Sequence, residues 1–388
     1  MSRPLPRPEK DRLEIGYVRL TDSAPFVLAA ERRLFARYGL TVTLRQEVSW
    51  ANVRDKLAVG ALDAAQMPAP LPAMTTLGAS GIRVPMLSGL TLSLNGNAIT
   101  LSGPLWHEVR MRCAGEITAE RTATALKAVV TNRGESGRLT LAVVHAFSTH
   151  MVLLRTWLRS GGIDPDRDVR TIVVPPAQMV DSLATGIIDG FCAGEPWGSV
   201  AVHHGIGAVA ALGNEVWPEA PEKVLAVTEH WHERHPATHA RLRLALMEAC
   251  QRLAEPDVRL EVAQCLGGRQ YLDMPTAWLL PSLTGRYRRE PGGPETDVPD
   301  MHVFGLDRAG LPRRDQAERL VVRCAELLGR PVDEGRLAEL VQQTHRPDLY
   351  RESARMLGLP EVHRDRAPAD AVRQSGSSRA VSAAKDSS

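Results

Sequence analysis

Side chains able to do chemistry are sparse in this chain, and their spacing excludes most reactions. Five cysteines (Cys113, Cys192, Cys250, Cys265, Cys324) are scattered with no C-x-x-C pair, so the pattern predicts reduced thiols and neither a disulfide framework nor a structural zinc site. His230, His232, His235 and His239 crowd together, but Pro236 interrupts helical spacing and no carboxylates complete a metal site; a solvated face is the expectation. Asp164, Asp166 and Asp168 open like a calcium loop, yet Val169 stands where glycine is required and Pro175 where the closing glutamate belongs. No nucleophile elbow, phosphate-cradling loop or dinucleotide fingerprint occurs, so hydrolase, NTPase and dehydrogenase chemistry lack an anchor and no catalytic residue or cofactor is expected. Lysine is the unusual resource: Lys10, Lys56, Lys127, Lys223 and Lys385 are the only five in 388 residues, the remaining basic side chains being arginine.

The elements that would position such groups are those of a globular chain with 44% hydrophobic and 24% charged residues, long enough for two domains. A formal charge of +2 offers no global field for a nucleic-acid backbone, so direct nucleic-acid contact is not expected. No stretch approaches the roughly 18 apolar residues of a membrane span, and the first 18 residues lack a secretory apolar run. With the unpaired cysteines, this predicts a cytoplasmic location. Short β-rich runs alternate with amphipathic helices, the pattern of an α/β fold with mainly parallel sheets. Strands are expected at 13–18, 41–45, 64–67, 139–144, 169–174, 191–194, 208–212 and 224–227. Helices are expected at 24–38, from Ser148 or Thr149 to Arg159, at 177–185, at 237–253 and within 315–358. Residues 1–12 and 359–388 are too poor in large apolar side chains to offset the entropy of ordering and are expected to be mobile tails.

One module recurs. Asp55-Lys56-Leu57-Ala58-Val59-Gly60-Ala61-Leu62-Asp63-Ala64 and Asp181-Ser182-Leu183-Ala184-Thr185-Gly186-Ile187-Ile188-Asp189-Gly190 share Asp, Leu, Ala, Gly and Asp in register. Each reads as a helix stopped at glycine, a short turn, and an aspartate opening a strand. Such connections are common in α/β proteins, but the repetition favours two lobes of like topology with a small-ligand cleft between them.

The strings SAPFVLAAERRLFARYGL, SWANVRDKLAVGALDAAQM, SLNGNAIT, STHMVLLRTWLRSGGIDPDRDV, TIVVPPAQMV, GEPW and PEKVLAV, running in order from about Leu13 to Leu253, resemble the NrtA/CmpA-type nitrate- and bicarbonate-binding proteins. The resemblance implies the two-lobed periplasmic-binding-protein-like (type II) α/β fold with its ligand cleft between lobes. Lobe one would comprise 13–103 and 214–358, and lobe two 104–213. With no leader evident in the sequence, the chain is expected to fall in the cytoplasmic branch, which resembles the NasS-type nitrate/nitrite sensors. Those work with a NasT-type RNA-binding antiterminator protein, which nitrate or nitrite releases.

Carried over motif by motif, the resemblance implies that Trp50, Asn97, His150, Pro176, Gly194, Glu195 and Lys223 contact the anion. Asn97 is a shorter amide than the family's usual residue. Trp50, Asn97 and Lys223 would come from lobe one and the others from lobe two. The chemistry agrees: nitrate is a planar acceptor-only monoanion that needs converging donors and a positive charge, which Lys223, His150, Asn97 and the flat indole of Trp50 can offer. Glu195, which would repel an anion, is expected to pair with Lys223 or to set the tautomer of His150. The resemblance also implies an acidic residue at the lysine position of bicarbonate-binding relatives, so Lys223 favours an oxyanion without a proton. Taken alone, each residue has a plainer reading: Trp50 as core, Asn95-Gly96-Asn97 as a hairpin turn, His150 as a helix cap, Lys223 as a solvated charge, Glu195 as a strand terminator. Two rival functions remain at this point. One is the binding component of an ABC importer. The other is an enzyme on the same fold, for which Cys192 is the sole reactive candidate.

Overall fold

The computed structural model describes residues 5–360 apart from 80, 114, 135–136 and 330–332; the expected C-terminal tail lies outside them from 361 onward, as do residues 1–4 of the N-terminal one. Two sheets organise the chain. The first contains β1 (Arg12–Val18), β2 (Thr41–Glu47), β3 (Ala64–Pro68) and β4 (Met86–Asn95). The second is built from β5 (Asn97–Ser102), β6 (Thr140–Val143), β7 (Arg170–Val173), β8 (Gly190–Gly194) and β9 (Gly207–Leu212). The chain then returns through β10 (Pro221–Thr228), makes the hairpin β11 (Arg286–Arg288) and β12 (Glu295–Asp297), and adds β13 (His302–Val303). The spatial orders are β13-β4-β10-β3-β1-β2 and β7-β6-β8-β5-β9.

In each sheet three strands are parallel, as the alternating pattern predicts: β2-β1-β3 in one and β7-β6-β8 in the other. The strands nearest the crossovers run the other way, with β10 antiparallel to β3 and β4, and β5 antiparallel to β8 and β9. Mixed sheets result because the chain leaves one lobe and enters the other at a strand end instead of through a helix. The crossing falls at Gly96, so Asn97 opens a strand of the second sheet; the expected boundary at 103 sits one strand too late. Asn95-Gly96-Asn97 is accordingly no hairpin, for β4 and β5 belong to different sheets. Asn95 and Gly96 both have positive φ, 61° and 87°, and a Cβ on Gly96 would stand 2.0 Å from the His302 ring, so only glycine fits. The return crossing is tied to the outgoing one: Asn95 N–H donates to Ala220 O (2.9 Å) and Ala220 N–H to Asn95 Oδ1 (3.1 Å).

The repeated module folds alike in both lobes. Gly60 and Gly186 have φ of 76° and 71°. Leu62 N–H reaches back to Lys56 O and Ile188 N–H to Ser182 O, each at 3.2 Å. Asp63 N–H donates to Glu14 O and Asp189 N–H to Thr140 O, each at 2.8 Å. The two carboxylates return the bond, Asp63 Oδ2 accepting from Glu14 N (2.9 Å) and Asp189 Oδ2 from Thr140 N (2.8 Å). The aspartate thus pins the turn to the neighbouring parallel strand, which explains its place in both segments.

Two departures from the expected elements have local causes. The helix predicted over 24–38 is two helices, Ala24–Glu31 and Leu34–Arg37, because Arg33 takes a left-handed conformation (φ 55°) while Leu34 and Phe35 turn into the core. Residues 5–12 are anchored, not free: Arg241 bonds the Leu5 and Pro6 carbonyls, Glu9 caps the helix Pro236–Arg252 through Ala237 and Thr238 N–H, and Lys10 pairs with Asp63. Charged side chains do there what apolar burial does elsewhere.

Candidate functional site

Where the lobes meet, the chain buries an ionic cluster with no exposed surface. Asp22 follows β1, Gln66 lies on β3, Glu222 and Lys223 on β10, and Trp50 opens the helix Trp50–Ala58, all from the first lobe. Asn97 opens β5 and His150 lies in the first turn of the helix Thr149–Ser160, both from the second. Ser49 and Ser148 fix these two helix starts, their hydroxyls accepting from Asn52 N and Met151 N at 3.2 Å each. Trp50 and His150 are therefore delivered to the crevice by capped helix N-termini; the sequence pattern implies the cap before His150, and the structure adds the one at Ser49.

Lys223 is the centre. Its ammonium is 0% exposed, pairs with Asp22 Oδ2 at 2.8 Å and with Glu222 Oε1, and lies 5.2 Å from the centroid of the Trp50 ring. Asp22 Oδ1 also accepts from Gln66 Nε2 (2.7 Å), and Glu222 Oε2 from Asn97 Nδ2 (2.6 Å) across the lobe boundary. His150 Nε2 stands 3.2 Å from Glu222 Oε1 but off hydrogen-bonding angle, so among the described residues both ring nitrogens lack a hydrogen-bond partner. The Trp50 indole N–H and Asn97 Oδ1 are likewise buried and unpaired. The Trp50 indole and one nitrogen of the neutral His150 ring are donors, whereas Asn97 Oδ1 and the other ring nitrogen are acceptors; buried polar groups ordinarily find a partner, so this unsatisfied set singles out the crevice as the candidate site.

The charges are shaped by burial. Desolvation works against the Lys223 ammonium, but Asp22 and Glu222 outweigh it and hold its pKa above the ordinary value. Desolvation lifts the Asp22 carboxyl above the usual range despite Lys223. His150 is kept neutral, first by burial and then by the charge of Lys223.

The sequence-based assignments fare unevenly. Trp50, Asn97, His150 and Lys223 converge. Asn97 does so from the second lobe, where the expectation put it in the first. Gly194 is in register with Asn97 on β8, and a Cβ there would make only ordinary contact with Leu20 (3.4 Å) and Asn97 Oδ1 (3.6 Å). Pro176 is buried at the head of the turn Pro176–Gln178, and among the described residues no hydrogen bond joins that turn's side chains to the cluster. Glu195 does neither of its expected tasks. Its carboxylate accepts from Tyr287 OH (2.7 Å) and Ser199 N–H (3.1 Å), while its carbonyl accepts from Thr21 N–H (2.8 Å). It points along the interface toward the β11 strand because Glu222 already occupies the place beside Lys223 and His150. Asp22, Gln66 and Glu222 escaped sequence reasoning. Glu222 is adjacent to Lys223, but strand alternation would send it to the opposite face; the irregular β10–β4 register between Pro221 and Val224 lets both reach the cluster.

Cys192 faces the second lobe's apolar core, and burial pushes its thiol far above the usual range, so it is no activated nucleophile. His232 and His239 face each other, Nδ1 to Nδ1, at 3.0 Å, and among the described residues no group of three or more His, Cys, Asp or Glu side chains is placed to hold a metal. Among the same residues no helix is long and apolar enough to cross a membrane.

Two α/β lobes, crossed by the chain at Gly96 and again before β10, with a buried polar cluster between them, define a ligand-binding fold of the periplasmic-binding-protein type. The chain belongs to the NMT1-like family, whose model matches residues 6–267. It is similar to the nitrate/nitrite binding protein NrtA of Nostoc sp. (strain PCC 7120), 28% identical over 92% of this chain and 80% of that protein. It is also similar to the bicarbonate transport ATP-binding protein CmpC of Synechocystis sp., 39% identical over 93% of this chain and 52% of that protein. The chain spans about half the length of the first curated relatives it matches, the ATP-binding proteins NrtC and CmpC. Among solved structures, the periplasmic nitrate-binding protein NrtA from Synechocystis PCC 6803 superposes with a TM-score of 0.84 at 28% identity, covering 91% of this chain and 90% of that one. The alkanesulfonate-binding protein SsuA from Xanthomonas axonopodis pv. citri, TM-score 0.59 at 17% identity over 88% and 98%, shares the fold.

Proposed function

We propose that this protein is a cytoplasmic sensor that binds nitrate or nitrite between its lobes and, through the resulting closure, controls a NasT-type antiterminator. The observation that carries the ligand assignment is the buried Lys223 ammonium under the Trp50 ring, with the Trp50 and His150 N–H groups unpaired beside it. Those groups give an acceptor-only anion a positive charge and directional donors in a dry setting where each is strengthened. Gly194, Glu195 and Pro176 line or support the same crevice in this reading. Because Trp50 and Lys223 belong to one lobe and His150 and Asn97 to the other, the ligand binds the closed state better, and that difference in affinity shifts the population. Similarity to nitrate-binding NrtA proteins supports the ligand class; the sensor role and the partner rest on the sequence resemblance.

Titration calorimetry with nitrate, nitrite, bicarbonate and sulfate tests the ligand. Binding of nitrate or nitrite with no response to sulfate is expected, and binding of bicarbonate alone would overturn the assignment to Lys223. A pull-down with the antiterminator should lose the partner when nitrate is added. The second reading, a nitrate- or related-oxyanion-responsive part of an ABC importer, is favoured by the match to half of NrtC and CmpC, named as nitrate import and bicarbonate transport ATP-binding proteins. Co-purification with a transporter ATPase instead of an antiterminator would select it.

A further inference from the structure

The charge balance of the cluster does not suit an anion as it stands. Two carboxylates, Asp22 and Glu222, meet one ammonium, Lys223, and all three are wholly buried. The other groups facing them are uncharged: the Gln66 amide from β3, the Trp50 indole from its helix, the Asn97 amide from β5, and His150, which burial and Lys223 keep neutral. With both acids ionised the cluster carries one net negative charge. A monoanion would raise that to two in a place closed to water, and a buried uncompensated charge is costly enough that a group neutralises instead.

We infer that the site takes up its oxyanion together with one proton from solvent, and that the Asp22 carboxylate is the acceptor. This rests on the oxyanion reading above. The proton bonds to a carboxylate oxygen of Asp22, converting it to the neutral acid and leaving Lys223 paired with Glu222 on one side and free to face the anion on the other. The geometry separates the two acids: Glu222 accepts hydrogen bonds at both oxygens, from Lys223 at Oε1 and from the Asn97 amide at Oε2 (2.6 Å), whereas among the described residues Asp22 Oδ2 faces Lys223 without accepting a hydrogen bond. Asp22 has Lys223 and one neutral amide, and desolvation has already pushed its carboxyl upward. His150 is held from becoming imidazolium by the ammonium nearby. Asp22 therefore sets specificity through protonation: it turns a site that repels anions at high pH into one that accepts them as pH falls.

Nitrate is the right probe because it carries no titratable proton, so any uptake belongs to the protein. Calorimetry of the full chain near pH 7 in buffers of differing ionisation heat should give an apparent enthalpy whose slope against that heat corresponds to one proton bound per nitrate. Affinity should rise about tenfold for each pH unit lowered while free Asp22 is ionised. Asp22→Asn should bind nitrate with no buffer dependence and a flat pH profile. Wild-type binding with zero slope overturns the inference while leaving the oxyanion reading intact, and this measurement needs no variant to fold. Uptake that persists in D22N assigns the proton elsewhere and overturns the role of Asp22. Failure to bind nitrate or nitrite at any pH removes the oxyanion reading and this inference with it.

Discussion

At the residue scale the crevice depends on pairs that cannot be broken singly. Lys223→Met leaves Asp22 and Glu222 as unpaired buried carboxylates, and breaking a buried ion pair costs about 3–5 kcal/mol. Urea denaturation should show a loss of that size, with nitrate binding abolished. The double variant Asp22→Asn, Lys223→Met should recover part of the stability and none of the binding, whereas additive losses would show that the two side chains do not act as a unit. Tyr287→Phe tests Glu195, the buried carboxylate that lies apart from the Lys223 cluster. It removes the 2.7 Å hydroxyl donor from Glu195 and should cost about 1–3 kcal/mol, read from the same denaturation curve, while nitrate affinity changes little because the Lys223 cluster is untouched. A large loss of affinity in that variant would place Glu195 among the ligand contacts after all. Lys223 and Trp50 were legible in the sequence through their motifs. Asp22 and Gln66 were not, since a single acid after a strand and a single amide within one carry no spacing signal.

At the element scale the two turn aspartates give an internal comparison. Asp189 holds one backbone N–H, of Thr140, whereas Asp63 holds Glu14 N–H, the Lys10 ammonium (2.6 Å) and the Trp231 indole N–H (2.9 Å). Asp189→Ala should therefore cost about 1–2 kcal/mol and Asp63→Ala roughly twice that by equilibrium unfolding. Equal losses would mean that Lys10 and Trp231 contribute nothing. The crossing strand has its own test. Gly96→Ala requires both a positive φ and displacement of the buried His302 ring, so it should either abolish folding or reduce stability by more than about 3 kcal/mol. Helix caps, glycine stops and strand composition announced most elements in advance. The crossover at Gly96 was hidden because N-G-N has the local signature of a hairpin, and only the distant partners of its flanking strands reveal that they lie in separate sheets.

At the scale of the whole molecule, buried histidines dominate the pH response. His145 and His345 are lowered to about 4, His302 to about 3, and His150 and His239 well below their ordinary value, in each case mainly by desolvation. A group whose pKa is lower in the folded state binds fewer protons there, so the stability it contributes is present above the unfolded value near 6.5 and is lost as pH falls toward the folded one. Asp22 and Glu195, both raised by burial, act in the opposite sense, adding stability as pH falls toward the ordinary carboxylate range. With half-buried His232 lowered in the same way, six histidines against two carboxylates predict net destabilisation on acidification from about pH 6.5 to 4, each histidine contributing up to about 1.4 kcal/mol per pH unit. Guanidinium denaturation at a series of pH values checks this; a midpoint that stays level or rises over that window contradicts it.

The sequence by itself determined the class of fold, the repeated helix-turn-strand unit and most of the side chains that meet in the crevice. The first two follow from local periodicity and turn chemistry, which neighbouring residues encode; the side chains of the crevice follow only from the resemblance of short motifs to the NrtA/CmpA-type proteins. Tertiary structure alone decided which acid faces the lysine, which lobe supplies Asn97, and that Glu195 turns away to Tyr287. Those outcomes depend on β-strand register and on contacts between residues about ninety to two hundred positions apart, where no spacing rule reaches and where burial, not residue type, sets the charge.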